Sequence, residues 1–271
     1  MKQLDSHRIL TDVQHGFRAK RSTVTQLMIT IHDLAKTIQD NKSIHAAILD
    51  FSKAFDKVPQ QRLLRTKLQY YGIRENLLKW FESCLIGRTQ SVICDGSQSK
   101  SIMVTSGVPQ GTVQFLLYVN DLPANLQSSV RLFAVDPLLY GFIFNEDDCN
   151  RLQADLFELE RWQDRWQMKF NPSKCKIICI STEKSPPLKK YMSCGSEHDQ
   201  VDSVSYVGVT LTNNLKWSQH VSSVPGKASK VLGLIKRNFS NCPRSVKEIA
   251  YTTLVRSKLE YGCETWDPHF N

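Results

Sequence analysis

The chain has 271 residues, 41% of them hydrophobic, enough to bury a substantial core in one large domain with a smaller appendage. Lys and Arg number 35 against 26 Asp and Glu, and the resulting +9 suits a polyanionic partner such as nucleic acid, although a solvated basic surface accounts for it as well. Eight scattered cysteines with no CxxC and no Cys/His cluster argue against a zinc module and fit a reduced intracellular chain; with no signal-like start and no apolar run near the ~18 residues of a spanning helix, a soluble, non-secreted protein is expected in the nucleus or cytoplasm.

In chain order, Val24, Leu27, Met28, Ile31, Leu34, Ala35 and Ile38 recur at helical spacing behind a Ser22/Thr23 cap and predict an amphipathic helix. IHAAILDF (44–51) reads as a buried strand ending at an acid. Two helical stretches follow, closed by Gly72 and Gly87, then a hairpin turning at Asp95-Gly96. SGVPQGT (106–112) is a loop, and a short apolar helix runs from it toward Asn125. RLFAVDPLLY (131–140) predicts a hairpin with Asp136 at its bend. A long helix from about 146 to 170 precedes a strand in NPSKCKIICIST (171–182). This order points to an α+β sheet with helices packed on one face. EKSPPLKK (183–190), charged and Pro-rich, reads as a linker dividing residues 1–182 from 183–271; beyond it a short β segment ending in SYVGVTLT leads into helices over 217–239 and 244–261.

Two acids close buried strands, Asp50 after AAIL and Asp136 after RLFAV. Desolvated carboxylates facing one cleft need a compensating cation, and magnesium is the natural candidate. Either acid alone fits a helix or turn cap equally well. The ordered combination of LDFSKAFDKVP (49–59), SGVPQGT, LLYVNDLP (116–123), RLFAVDPLLY and NPSKCK resembles the reverse transcriptases of non-LTR, LINE-like (jockey-like) retrotransposons, and QHGFRAKRST (14–23) and YVGVTLTNNLKWSQHV (206–221) extend the similarity over almost the whole chain.

The resemblance implies a right-hand polymerase with partial fingers and a ferredoxin-like palm over 1–182, and a linker with a mostly helical, thumb-like part over 183–271. It implies an RNA-directed DNA polymerase acting on an RNA template, a DNA primer and deoxynucleoside triphosphates, with two Mg²⁺ ions. Asp50 and Asp136 match the metal-holding acids. Phe55 matches the aromatic that crowds the sugar 2′ position, though by itself it reads as ordinary core. Gln110 and Gly111 match the loop beneath the incoming nucleotide, Arg18, Lys20 and Arg21 offer cations for the triphosphate, and Lys174 matches a lysine near the leaving pyrophosphate. Any one of these cations alone reads as a solvated basic residue.

The chain also departs from the pattern. The family hairpin reads Phe/Tyr-Ala-Asp-Asp, whereas this one reads Phe133-Ala134-Val135-Asp136, with valine where the first ligand belongs. Neighbouring residues of an extended segment point to opposite faces, so Asp136 cannot replace it. Pro137 lacks a ladder N–H. After Val113 roughly one helical turn is missing. The start near QHGFR leads us to expect that the upstream fingers and an endonuclease domain are lacking. An impaired polymerase follows, with a non-catalytic nucleic-acid-binding remnant or an unstable pseudogene product as the alternatives.

Overall fold

In the computed structural model, which describes residues 2–40, 42–181 and 189–266, the chain opens with a short helix α1 (Lys2–Ser6) and the amphipathic α2 (Thr23–Gln39). Ser22 caps α2: its side chain accepts the Thr25 N–H, and the Thr25 hydroxyl oxygen accepts the Ser22 N–H, satisfying amides that the helix start leaves unpaired. Strand β1 (Ser43–Ile48) follows, buried at every position. Next come α3 (Gln60–Arg62), which widens into a π-helical turn at Leu63–Leu68, and α4 (Glu75–Leu85). Short strands β2 (Thr89–Gln90), β3 (Ile93–Cys94), β4 (Ser97–Gln98) and β5 (Ile102–Met103) make an exposed double-rung hairpin, turning where Asp95 and Gly96 both take positive φ. Helix α5 is Val113–Val119, and β6 (Ser129–Phe133) with β7 (Asp136–Ile143) forms the hairpin predicted over 131–140.

Helix α6 (Glu146–Trp166) is capped by Asn145 and ends at Gln167 in the left-handed conformation, short of the expected 170 because this reversal turns the chain back toward the sheet. Strand β8 (Lys176–Ile180) completes a four-stranded sheet of order β6-β7-β1-β8 with antiparallel pairing between β1 and both its neighbours. The predicted linker falls largely on 182–188, outside the described residues. Beyond it lie two hairpins, β9 (Met192–Ser193) with β10 (Ser196–Glu197) and β11 (Ser203–Tyr206) with β12 (Val209–Thr212). The chain closes with α7 (Ser218–Asn238), α8 (Arg244–Ala250), a π-helical turn at Tyr251–Arg256, α9 (Ser257–Leu259) and α10 (Cys263–Trp266).

The expectation of helices on one face of the sheet is corrected. Ala47, Leu49, Leu132, Leu139 and Ile177 pack with residues of α5 and α6 in one apolar cluster. The alternate positions Ile44, Ala46, Ile48, Leu138, Tyr140 and Ile178 pack against Leu27 and Leu34 of α2 and against Tyr206, Val209 and Leu211 of the β11–β12 hairpin. A strand apolar at both parities demands cover on both sides, and β1 receives it. None of the described helices is long and apolar enough to cross a membrane.

Candidate active site

The β1–β7 register pairs Ile48 with Leu138. Continued by two residues, it sets Asp50 opposite Asp136, both on the face of Ile48 and Leu138. The consequence is electrostatic. The Asp136 carboxyl is pushed up to about 6, first by burial and then by the charge of Asp50, with Lys174 pulling the other way. Lys174 Nζ stands 3.4 Å from Asp50 Oδ1. The lysine is carried there by backbone: Asn171 N–H donates to Asp50 O at 2.8 Å, Ser52 N–H to Lys169 O at 2.7 Å, and Lys174 N–H closes the turn on Asn171 O at 3.0 Å. Phe51 stacks on Phe170 at 4.5 Å between ring centres, which seals the base of this strand-to-turn pair. Three residues named from separate segments, Asp50, Asp136 and Lys174, therefore meet.

The hairpin tip differs from expectation. Phe133 pairs with Asp136, so the bend is the two-residue turn Ala134–Val135, and Asp136 is the first residue of β7. Ala134 takes φ +54°, and Val135, half-buried in the turn, packs against the apolar cluster that includes Leu49, Phe51 and Phe115. Pro137 is tolerated because its missing N–H falls where the β1–β7 ladder ends, while its carbonyl still accepts Leu49 N–H at 3.0 Å. The strand has not slipped; a half-buried valine stands in the turn.

The nucleotide-side residues are assembled from a second set of contacts. Gly107 lies against the Phe55–Asp56 backbone so closely that a Cβ would sit 2.8 Å from both carbonyl oxygens, which only glycine permits. Val108 N–H donates to Phe55 O, and Gly107 N–H to Val58 O, each at 2.8 Å. This locks SGVPQGT to the turn bearing Phe55, whose half-buried ring rests 4.6 Å from that of Phe115. Gln110 and Gly111 are exposed beyond the lock, with Phe17 the nearest side chain to Gly111. Beside the first turn of α5 lies a cavity of about 690 Å³ lined by Leu4, Ile9, Tyr71, Ile73, Trp80 and Val113, while the helix itself is buried from Gln114 to Val119.

Of the three candidate cations in the 18–21 segment, two are engaged elsewhere. Arg18 pairs with Asp5 at 2.8 Å and donates to Thr11 O, and Arg21 pairs with Asp12 at 3.0 Å and donates to Gln14 O. Lys20 is exposed and enters no ion pair among the described residues.

Sequence reasoning missed a second charged cluster. Lys67, only 2% exposed, pairs with Asp121, and its Nζ lies 3.4 Å from the centre of the Trp166 ring and 5.7 Å from that of Trp162. Trp162 Nε1 donates to Asp121 at 2.9 Å, and Asn120 ties the same turn to Ile9 and Thr11. The Asn-Asp of LLYVNDLP thus builds the scaffold.

No three His, Cys, Asp or Glu side chains among the described residues stand at metal-ligand distances. Two facing carboxylates, one raised by burial and by its neighbour's charge, fit a single hard divalent ion that takes its remaining ligands from water and phosphate; they fall short of a two-ion centre.

A hairpin bearing an acid beside an acid-tipped strand, on a four-stranded antiparallel sheet flanked by helices, is the palm of a right-hand polymerase. The profile of the family described as reverse transcriptase (RNA-dependent DNA polymerase) matches residues 1–211, and the chain belongs to that family. It is similar to the probable RNA-directed DNA polymerase from transposon X-element of Drosophila melanogaster, 26% identical over 97% of this chain and 30% of that protein, and to the RNA-directed DNA polymerase from mobile element jockey of the same organism, 24% identical over 97% of this chain and 29% of that protein. The chain therefore spans about a third of the length of these relatives. Among solved structures, telomerase from Candida tropicalis in complex with a fragment of telomeric RNA superposes with a TM-score of 0.55 at 11% identity, over 97% of this chain and 44% of that one; telomerase from Candida albicans gives 0.52 at 12% identity, over 96% and 46%. The family uses divalent metal ions.

Proposed function

We propose that this chain is a reverse transcriptase domain of a non-LTR retrotransposon whose polymerising centre is impaired. The observation that carries the reading is that Asp50 faces Asp136 beside Lys174 while a half-buried valine, Val135, occupies the turn where the first carboxylate belongs. Residues 1–182 form the fingers and palm in this reading, and 183–271 the thumb-like part, with its β11–β12 hairpin seated on the palm. The setting is intracellular, and the partners are an RNA template, a DNA primer and deoxynucleoside triphosphates.

Asp50 and Asp136 would hold Mg²⁺, which when bound would supply activation of a 3′-hydroxyl and stabilisation of developing phosphate charge. Around it Phe55 stands as the wall against a ribose 2′-hydroxyl, and Gln110 with Gly111 supports the base pair being formed. Lys20 meets the triphosphate, and Lys174, paired with Asp50 at the mouth of the acid pair, is the proton donor to the leaving pyrophosphate. The missing carboxylate at position 135 removes a share of the several kcal/mol that metal-ion catalysis supplies, which at ~1.4 kcal/mol per decade lowers the rate on the order of a thousandfold.

Primer extension on an RNA template tests this. The parent chain is expected to give a trace at most, Asp50→Ala none, and Val135→Asp an increase that the short α5 keeps modest. Robust extension by the parent, abolished in Asp50→Ala, would overturn the impairment. A second reading, nucleic-acid binding without chemistry, is favoured by the +9 charge. Salt-dependent binding of a primer–template without extension is its signature.

A further inference from the structure

The hairpin tip that aims Asp136 is held from outside its own strands. Ala134 is an ordinary L-residue in the left-handed region, where the first central position of a two-residue turn usually carries glycine, so the conformation needs external support. That support comes from Val13–Gly16. The Gln14 side-chain oxygen accepts the Ala134 N–H at 2.9 Å and the Gly16 N–H at 2.7 Å. On either side of Gln14 the segment runs as an extra parallel rung along β6, with Leu132 N–H donating to Val13 O at 3.0 Å and His15 N–H to Leu132 O at 2.8 Å. Gly16 presses on the tip so closely that a Cβ there would lie 2.5 Å from Ala134 N.

Gln14 is 2% exposed, and its Nε2 has no partner, so the residue bears the cost of a buried, half-satisfied amide. An apolar side chain of that length would remove the orphaned Nε2 but leave both the Ala134 and the Gly16 N–H without their acceptor. What glutamine adds is an acceptor that grips the tip and the glycine together.

We propose that Gln14 is a positioning residue of the acid pair: it pins the Ala134–Val135 turn so that Asp136 stands opposite Asp50. This rests on the reading of those two acids as the divalent-ion site. Gly16 is its companion, and the role extends to the position of Val135, since the same peptide sets where a carboxylate restored there would point.

Amide hydrogen exchange and Mn²⁺ titration of the full chain, both followed by NMR, test the assignment. In Gln14→Met the amides of Ala134 and Gly16 should exchange about tenfold faster or more, while those of Ala46 and Ile178 keep the parent rate. Gln14→Glu, whose carboxylate can accept the same two bonds, should restore protection at Ala134. Mn²⁺ should broaden the Asp50 and Asp136 signals in the parent and do so at several-fold higher concentration in Gln14→Met. Gln14→Asn, too short to reach the tip, serves as the milder variant should the methionine chain not fold. Unchanged protection at Ala134, or acceleration of all sheet amides together, would overturn the proposal by leaving Gln14 irrelevant or merely structural. Failure of Mn²⁺ to broaden Asp50 and Asp136 in the parent would instead overturn the metal reading, with exchange at Ala134 still deciding whether Gln14 holds the tip.

Discussion

Lys67–Asp121 and Asp50–Asp136 are two places where this molecule takes charge out of water, and it treats them oppositely. At the first, a buried ammonium meets one carboxylate and the faces of Trp166, Trp162 and Tyr118, and that carboxylate also accepts the Trp162 N–H. Burial lowers the lysine to about 8, and Asp121 opposes the shift. At the second, two like charges face each other with one largely exposed lysine 3.4 Å from the outer acid. The first cluster is closed and compensated within the chain. The second is left short of positive charge, and that deficit marks it as a place for something not encoded in the chain.

The contrast can be broken most forcefully at the closed cluster. Lys67→Ala leaves Asp121 without its cation and opens a gap among three rings, and should cost about 3–5 kcal/mol in urea unfolding; Lys67→Met, which refills the volume, should cost less. A loss below 1 kcal/mol would mean that the cluster is not a structural keystone.

Acid should act next. Burial holds His45 down to about 4, well below its ordinary 6.5, so it is neutral in the fold at pH values where the unfolded chain already protonates it. Its contribution is therefore fully present above about 6.5 and lost as pH falls to about 4, on the order of 2–3 kcal/mol. His15, lowered for the same reason and by nearby arginines, adds in the same direction. Asp136 works against them: its raised value makes the fold bind a proton more readily between 3.8 and about 6, so protonating it relieves strain. Thermal melts from pH 8 to 4 should show a net fall that His45→Phe diminishes.

A smaller effect is expected at the tip. Val135→Asp brings a third carboxylate to the site and should lower stability by about 1 kcal/mol in chelator, a loss that millimolar Mg²⁺ reverses. The parent should show a weaker Mg²⁺ dependence. Equal responses would place residue 135 outside the ion's reach.

Much of the palm was legible in the sequence because its signals are local. An apolar run ending in Asp50, the Phe-Ala-Val-Asp hairpin and the NPSK turn each announce themselves within a few residues, and the backbone bonds joining Asn171 to Asp50 then bring them together. The two-faced burial of β1 was also legible, in a run apolar at both parities, although the expectation placed helices on one face only. Side-chain partnerships were not. Arg18 and Arg21 look like free cations because Asp5 and Asp12 stand at spacings that no helix or strand period brings together. Lys67 reaches Asp121 and Trp166 across many residues, and Gln14 reaches Ala134 across 120 of them. Such contacts exist only once the sheet has formed.

The most direct test of the undercompensated acid pair is the carboxyl titration of Asp136, followed by ¹³C NMR in the parent chain and in Asp50→Asn, each with and without Mg²⁺. A midpoint of about 6 in the parent, lower in Asp50→Asn and lower again in the parent with Mg²⁺, is the predicted result. A midpoint near 3.8 that neither the substitution nor the ion moves would contradict the account.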